Sequence, residues 1–132
     1  MHAIHDRVLA FIDDGAGDSF EALALAVFAH QFETVAPYRQ YCLERNRTPD
    51  NVRDWRHIPP VPIQAFKRIE LCCSPPERTF LSTGTSQGPQ VRSRHCMPDL
   101  RLYERSAVRG MRAFLFPDVG GIRLLSLVPR GD

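Results

Sequence analysis

Ser82-Thr83-Gly84-Thr85-Ser86-Gln87-Gly88-Pro89-Gln90 is a run of small and hydroxylated residues wrapped around two glycines. Gly84 lets the backbone turn and approach an anion closely. Successive amides in such a turn make a concave nest of donors, and the hydroxyls add to it. A solvated Ser/Gly connection is the competing reading of the same letters. Which of the two holds decides whether the surrounding elements frame a site or only a loop.

Outward from this loop, Thr79 to Thr83 fits a short strand. On the far side Pro98 opens a helix that can run to Phe116, with Leu100, Tyr103, Ala107, Met111 and Phe114 on one side at helical spacing. Arg101, Arg105, Arg109 and Arg112 fall opposite and read first as a solvated face. Gly120-Gly121 then turns the chain into Ile122 to Leu127, a predicted buried strand. Residues 77–132 therefore read strand, loop, helix, strand, a βαβ-like part. Residues 47–76 are punctuated by proline. Ile58-Pro59-Pro60-Val61-Pro62 must be extended, since proline fixes φ and lacks the amide donor. Trp55, Ile63, Phe66, Ile69 and Leu71 make that segment too apolar for a flexible linker, so an ordered, packed strap is expected. Residues 1–46 read as helical. Asp18 and Glu21 suggest a capping box, and Phe20, Leu23, Ala24, Val27 and Phe28 follow as one buried face. That helix must stop before Pro37, which can open the next one, ending near Asn46. The fold class expected is α/β: N-terminal helices plus a partial sheet.

The chain has 132 residues, 43% hydrophobic and 24% charged, which suits one folded domain. A net charge of +2 gives no bulk argument for nucleic acid. Sixteen of the seventeen basic residues are Arg, a ratio that coding bias explains as well as anion binding does. The longest apolar run, Ala22 to Ala29, has eight residues, and a bilayer span needs about 20. The N-terminus shows no basic-then-apolar pattern. Cys42, Cys72, Cys73 and Cys96 form no CxxC pair, so reduced thiols and a cytoplasmic location are expected. His2, His5, His30 and His57 show no metal-ligand spacing.

Two motifs can be weighed against the loop. A Walker phosphate loop needs G-x-x-x-x-G-K-[ST]; Gly84 to Gly88 is one residue short and no Lys follows. Gly84-Thr85-Ser86-Gln87-Gly88 does spell G-x-S-x-G, the nucleophile elbow, with Ser86 as the nucleophile of a serine hydrolase. The only histidine after it is His95, and every later acid follows that histidine, so the triad order fails within this chain. The hydrolase stays the alternative, along with a non-catalytic interaction module.

Phe80 to Pro89 resembles the phosphate-binding signature of acyl-adenylating enzymes, [ST]-[ST]-G-[ST]-T-G-x-P-K. The wider neighbourhood is similar to the acyl-protein synthetase (LuxE-type) family of bacterial luminescence operons. Trp55-Arg56-His57-Ile58-Pro59-Pro60-Val61-Pro62 with Phe66-Lys67 resembles that family's lead-in; Ser93-Arg94-His95 resembles its Ser-x-His; Asp99-Leu100 with Leu102-Tyr103-Glu104 resembles the start of its next helix. Gln87 stands where the family has Gly, and Gln90 where adenylating relatives often carry Lys; Arg92 and Arg94 are the cations at hand to replace it.

The resemblance implies the start of an adenylating-enzyme large domain. It implies ATP and Mg2+ as cofactors, a fatty or other carboxylate as substrate, and an acyl-acceptor protein as a possible partner; charge balance and the short apolar runs add the expectation of neither nucleic acid nor membrane as a partner. The carboxylate attacks the α-phosphate of ATP, pyrophosphate leaves, and the acyl group passes to a thiol. Ser82, Thr83, Gly84, Thr85, Ser86 and Gly88 are implied to position the polyphosphate. His95 is a candidate contact to nucleotide or substrate, with a structural hydrogen-bonding role as the other reading. Family members are several times longer, so the chain reads as an incomplete N-terminal segment, expected to be inactive alone. Cys72 and Cys73 are expected to be packed or partly exposed thiols. Cys96 beside His95 should point to the opposite face of a strand.

Overall fold

The computed structural model describes residues 3–15, 17–83, 92–121 and 123. Among them the chain forms helices α1 (Ala3–Asp14), α2 (Phe20–Thr34), α3 (Ala36–Glu44) and α4 (Leu100–Gly110), and strands β1 (Arg78–Leu81) and β2 (Arg94–Met97). The architecture is mixed α/β, with a small two-stranded antiparallel sheet. No helix among the described residues is long and apolar enough to cross a membrane.

α1 and α2 are joined by a short turn pinned by a two-pronged ion pair, Arg7 Nε and Nη2 each 2.8 Å from the Asp18 carboxylate. This corrects the expected capping box. Asp18 is engaged by Arg7, and Ser19 is the N-cap, its Oγ accepting from the Ala22 amide at 3.2 Å. Of the expected α2 face, Leu23 and Phe28 are buried, whereas Phe20 is half exposed and lies edge-on to Trp55. Pro37 sits in the first turn of α3, where its missing amide costs no helical bond. Arg39 donates back to the Phe32 and Glu33 carbonyls, satisfying the open end of α2. α3 stops with Asn46 at φ +52°; the Arg47 amide donates to the Cys42 carbonyl and the Asn46 amide to Leu43, a Schellman ending.

The core is Phe28, Val35, Tyr38, Cys42 and Val52. Ile58, Val61 and Leu71 of the proline-rich segment pack on it. An extended proline segment makes no internal hydrogen bonds, so its carbonyls need outside donors. Tyr38 Oη donates to the Pro59 carbonyl at 3.0 Å, and Tyr41 Oη to Pro60 at 2.9 Å. The segment adds two 3₁₀ turns, Trp55–His57 and Ile63–Lys67.

The expected order of strand, loop, helix, strand is corrected in one respect. The chain returns from the loop directly as β2, antiparallel to β1, with Arg78 opposite Met97 and Leu81 opposite Arg94. Arg94-His95-Cys96-Met97 carries no strand pattern of its own, so its pairing with β1 makes it a strand. The expected strand at 122–127 lies outside the described residues, except for Arg123.

α4 starts at Leu100 behind N-cap Asp99, two residues after the expected Pro98, and ends at Gly110 in a π-helical turn, Met111–Leu115, short of the expected Phe116. Its arginine row is not simply solvated. Arg101 Nη2 lies 3.3 Å from Asp6 and Arg105 Nε 3.4 Å from Asp13, so the row borders α1. The side expected to be core is looser: Tyr103 is half exposed against Phe80, and Phe114 is 86% exposed. Leu102 turns inward instead, toward Ile4 and Val8 of α1.

Candidate functional site

β1 and β2 bring the two ends of the hydroxyl-rich loop side by side. One step past the strands, the Ser82 amide donates to the Ser93 carbonyl at 3.0 Å. The Ser93 amide donates in return to Ser82 Oγ at 2.8 Å. As the acceptor in that bond, Ser82 Oγ keeps its own proton for another partner. Ser93 is buried, Ser82 half-buried, and Thr83 and Arg92 are exposed. The segment 84–91 joins these two ends. Gly84, Thr85, Ser86 and Gly88, named as phosphate contacts, lie outside the described residues, as do Gln87 and Gln90.

His95 and Cys96 point apart, as adjacent strand residues do. The His95 ring stacks on Phe66, centroids 5.1 Å apart and planes 25° apart. Cys96 faces a cavity on the other side. Arg94 lies 3.7 Å from Glu70, an exposed pair. Of the two arginines beside the loop, Arg92 is therefore the better placed to meet an anion.

The cavity behind β2 holds about 320 Å³ and lies between α1, α2, α4 and the end of the proline-rich segment. His5, His30 and Cys73 meet in it, with one ring nitrogen from each histidine and the thiol sulfur all within 4.8 Å of one another. The two imidazoles stand edge to face, centroids 6.1 Å apart at 79°. His5 is oriented by Asp99, Nδ1 to Oδ2 3.4 Å, and both side chains are nearly buried. Asp99 is itself fixed by Arg101, whose Nε and Nη2 lie 2.9 and 2.6 Å from its oxygens. Those hydrogen bonds hold the Asp99 carboxyl below its ordinary range, against the opposing effect of burial.

Cys72 and Cys96 line the same cavity. Burial pushes the Cys72 thiol up to about 11, and its Sγ donates to the Ser74 carbonyl at 2.8 Å, so it is no ready nucleophile. The meeting of His5, His30 and Cys73 has no signature in the sequence. The three come from two helices and a loop far apart in the chain, and only packing joins them.

No protein-family model, curated protein or solved structure matches the chain.

Proposed function

We propose that this chain supplies the polyphosphate grip of an ATP-dependent ligase of the acyl-protein synthetase type, which activates a carboxylate as an acyl-adenylate for transfer to a protein thiol. Besides the four sequence matches, one observation carries the reading. The reciprocal Ser82–Ser93 bonds hold residues 82 and 93, on either side of the glycine- and hydroxyl-rich segment, together at the end of the paired strands β1 and β2. A grip must be held in place before the ligand arrives if it is to stabilise developing charge. The donors at that hairpin end suit an anion: the Ser82 and Thr83 hydroxyls and the Arg92 cation, with no carboxylate among residues 82, 83, 92 and 93. Magnesium would enter with the nucleotide and screen its phosphates.

The test is binding by the full chain, followed by thermal unfolding. ATP with Mg2+ at ten times its Kd stabilises a binding protein by about 1.4 kcal/mol, which is several degrees in Tm for a domain of this size. AMP, which lacks the polyphosphate tail, should shift Tm less. Arg92→Gln should reduce the ATP shift and leave the AMP shift in place. Equal shifts for ATP and AMP, or none for either, would overturn the reading.

A further inference from the structure

We propose that His5, His30 and Cys73 form a binding site for a divalent transition-metal ion of the zinc class, apart from the loop and from ATP. Two imidazoles and a thiol are borderline-to-soft donors, which select zinc-like ions over the oxygen-seeking magnesium and calcium. Zinc bonds nitrogen at about 2.0–2.1 Å and sulfur at about 2.3 Å, so a tetrahedral ion separates its ligand atoms by about 3.4–3.6 Å. The three donors already lie within 4.8 Å of one another. Side-chain rotation of about 1 Å closes the rest, and the cavity around them leaves room for it.

The support around the donors is that of a metal site. A metal-bound histidine typically gives its second ring nitrogen to a carboxylate or carbonyl, which fixes its tautomer and orientation. Asp99 stands at Nδ1 of His5, which assigns Nε2 to the ion. Asp99 in turn cannot swing away, because Arg101 holds both of its oxygens and its Oδ1 caps α4. Cys73 binds as the thiolate, its proton passing to solvent. Cys72 is turned to the Ser74 carbonyl, so three protein ligands leave the fourth position to water. Such an ion would tie the end of the proline-rich segment to α1 and α2.

The experiment is a Co2+ titration of the full, reduced, metal-stripped chain without nucleotide, with far-UV circular dichroism on every sample. The expected result is one Co2+ per chain, a thiolate-to-cobalt charge-transfer band, the visible bands of a four-coordinate ion, and displacement by Zn2+. Cys73→Ser should abolish the charge-transfer band, and His30→Gln should weaken binding at least tenfold. Asp99→Asn should weaken binding by about 10- to 100-fold. Cys72→Ser and Cys96→Ser should leave the spectrum unchanged. The site is refuted if the folded wild-type chain gives no charge-transfer band. It is equally refuted if the band survives Cys73→Ser or vanishes with Cys72→Ser or Cys96→Ser.

Discussion

The Tyr38 hydroxyl donates to the Pro59 carbonyl at 3.0 Å, joining the core helix α3 to the proline-rich segment inside the core. Tyr38 is 6% exposed, so water cannot replace the bond. Tyr38→Phe keeps the ring against Phe28 and leaves a buried carbonyl without its donor, a loss of about 1–3 kcal/mol. Tyr41→Phe removes the matching bond to Pro60, but that bond is exposed and water can take its place, so the cost should stay under about 1 kcal/mol. Urea denaturation of the two variants checks the ranking; equal losses would mean the Pro59 bond carries no special weight.

The same burial gives the fold an alkaline limit. Burial, reinforced by the Cys42 thiol, raises the Tyr38 phenol above its ordinary value of 10.0. The unfolded chain then gives up this proton at a lower pH than the folded one. The contribution is fully present below about pH 10 and lost as pH rises from there toward the folded value. Cys42, raised by burial from an ordinary 9.0, adds a loss of the same sign beginning lower. Stability measured from pH 8 to 11 should fall, and Tyr38→Phe should make the upper part of that fall shallower. An unchanged slope in Tyr38→Phe would exclude Tyr38 as its source.

Ser82 and Thr83 should separate in their effects. Ser82 Oγ accepts from the amide of buried Ser93, so Ser82→Ala should cost about 1–3 kcal/mol without nucleotide and should also shrink the ATP-induced rise in Tm expected of the proposed grip. Thr83 is exposed, so Thr83→Val should stay within about 0.5 kcal/mol of wild type while shrinking the ATP-induced rise in Tm. If Thr83→Val binds ATP like wild type, Thr83 is no part of the proposed grip.

The parts of the fold legible in the sequence are those set by neighbours in the chain. Pro37 ends one helix and begins another, and the apolar spacing after Pro98 marks a helix, although it begins two residues later than Pro98, behind Asp99. Asp18 does not cap α2 as its spacing to Glu21 suggests, because Arg7, eleven residues earlier, takes its carboxylate. β2 is missing from the expected order of elements for a related reason, although His95 and Cys96 do lie on opposite faces of a strand as expected: four residues without strand character become a strand only when β1 supplies the partner. The arginine row of α4 was visible as a pattern, but its partners Asp6 and Asp13 lie two turns apart on α1, and only helix packing matches the two spacings.

The site divides in the same way. The hydroxyl-rich loop is local and could be quoted as one string of letters. The Ser82–Ser93 bonds that hold its ends follow from the hairpin register, which the letters do not state. His5, His30 and Cys73 share no spacing, so no motif could have joined them; a carboxylate waiting on His5 is a tertiary fact.

Besides orienting His5, Asp99 carries two tasks at the start of α4 that substitution can separate. Its Oδ1 accepts from the Arg101 amide at 3.1 Å as the N-cap of α4, and its carboxylate pairs with the Arg101 guanidinium. Asn keeps a capping oxygen but lacks the charge, whereas Ala keeps neither. The Arg101 side chain is 45% exposed, which limits the ion pair to about 0.2–1 kcal/mol. Loss of an N-cap costs about 1 kcal/mol. Asp99→Asn should therefore destabilise by less than about 1 kcal/mol, and Asp99→Ala by about 1 kcal/mol more. Glu77 accepts from the Leu100 amide at 2.9 Å, so a second carboxylate serves the same helix end. Glu77→Ala combined with Asp99→Ala should then cost more than the sum of the two, since either cap alone keeps the first turn formed. Urea midpoints of the four variants test this, and strict additivity would show that the two caps act independently.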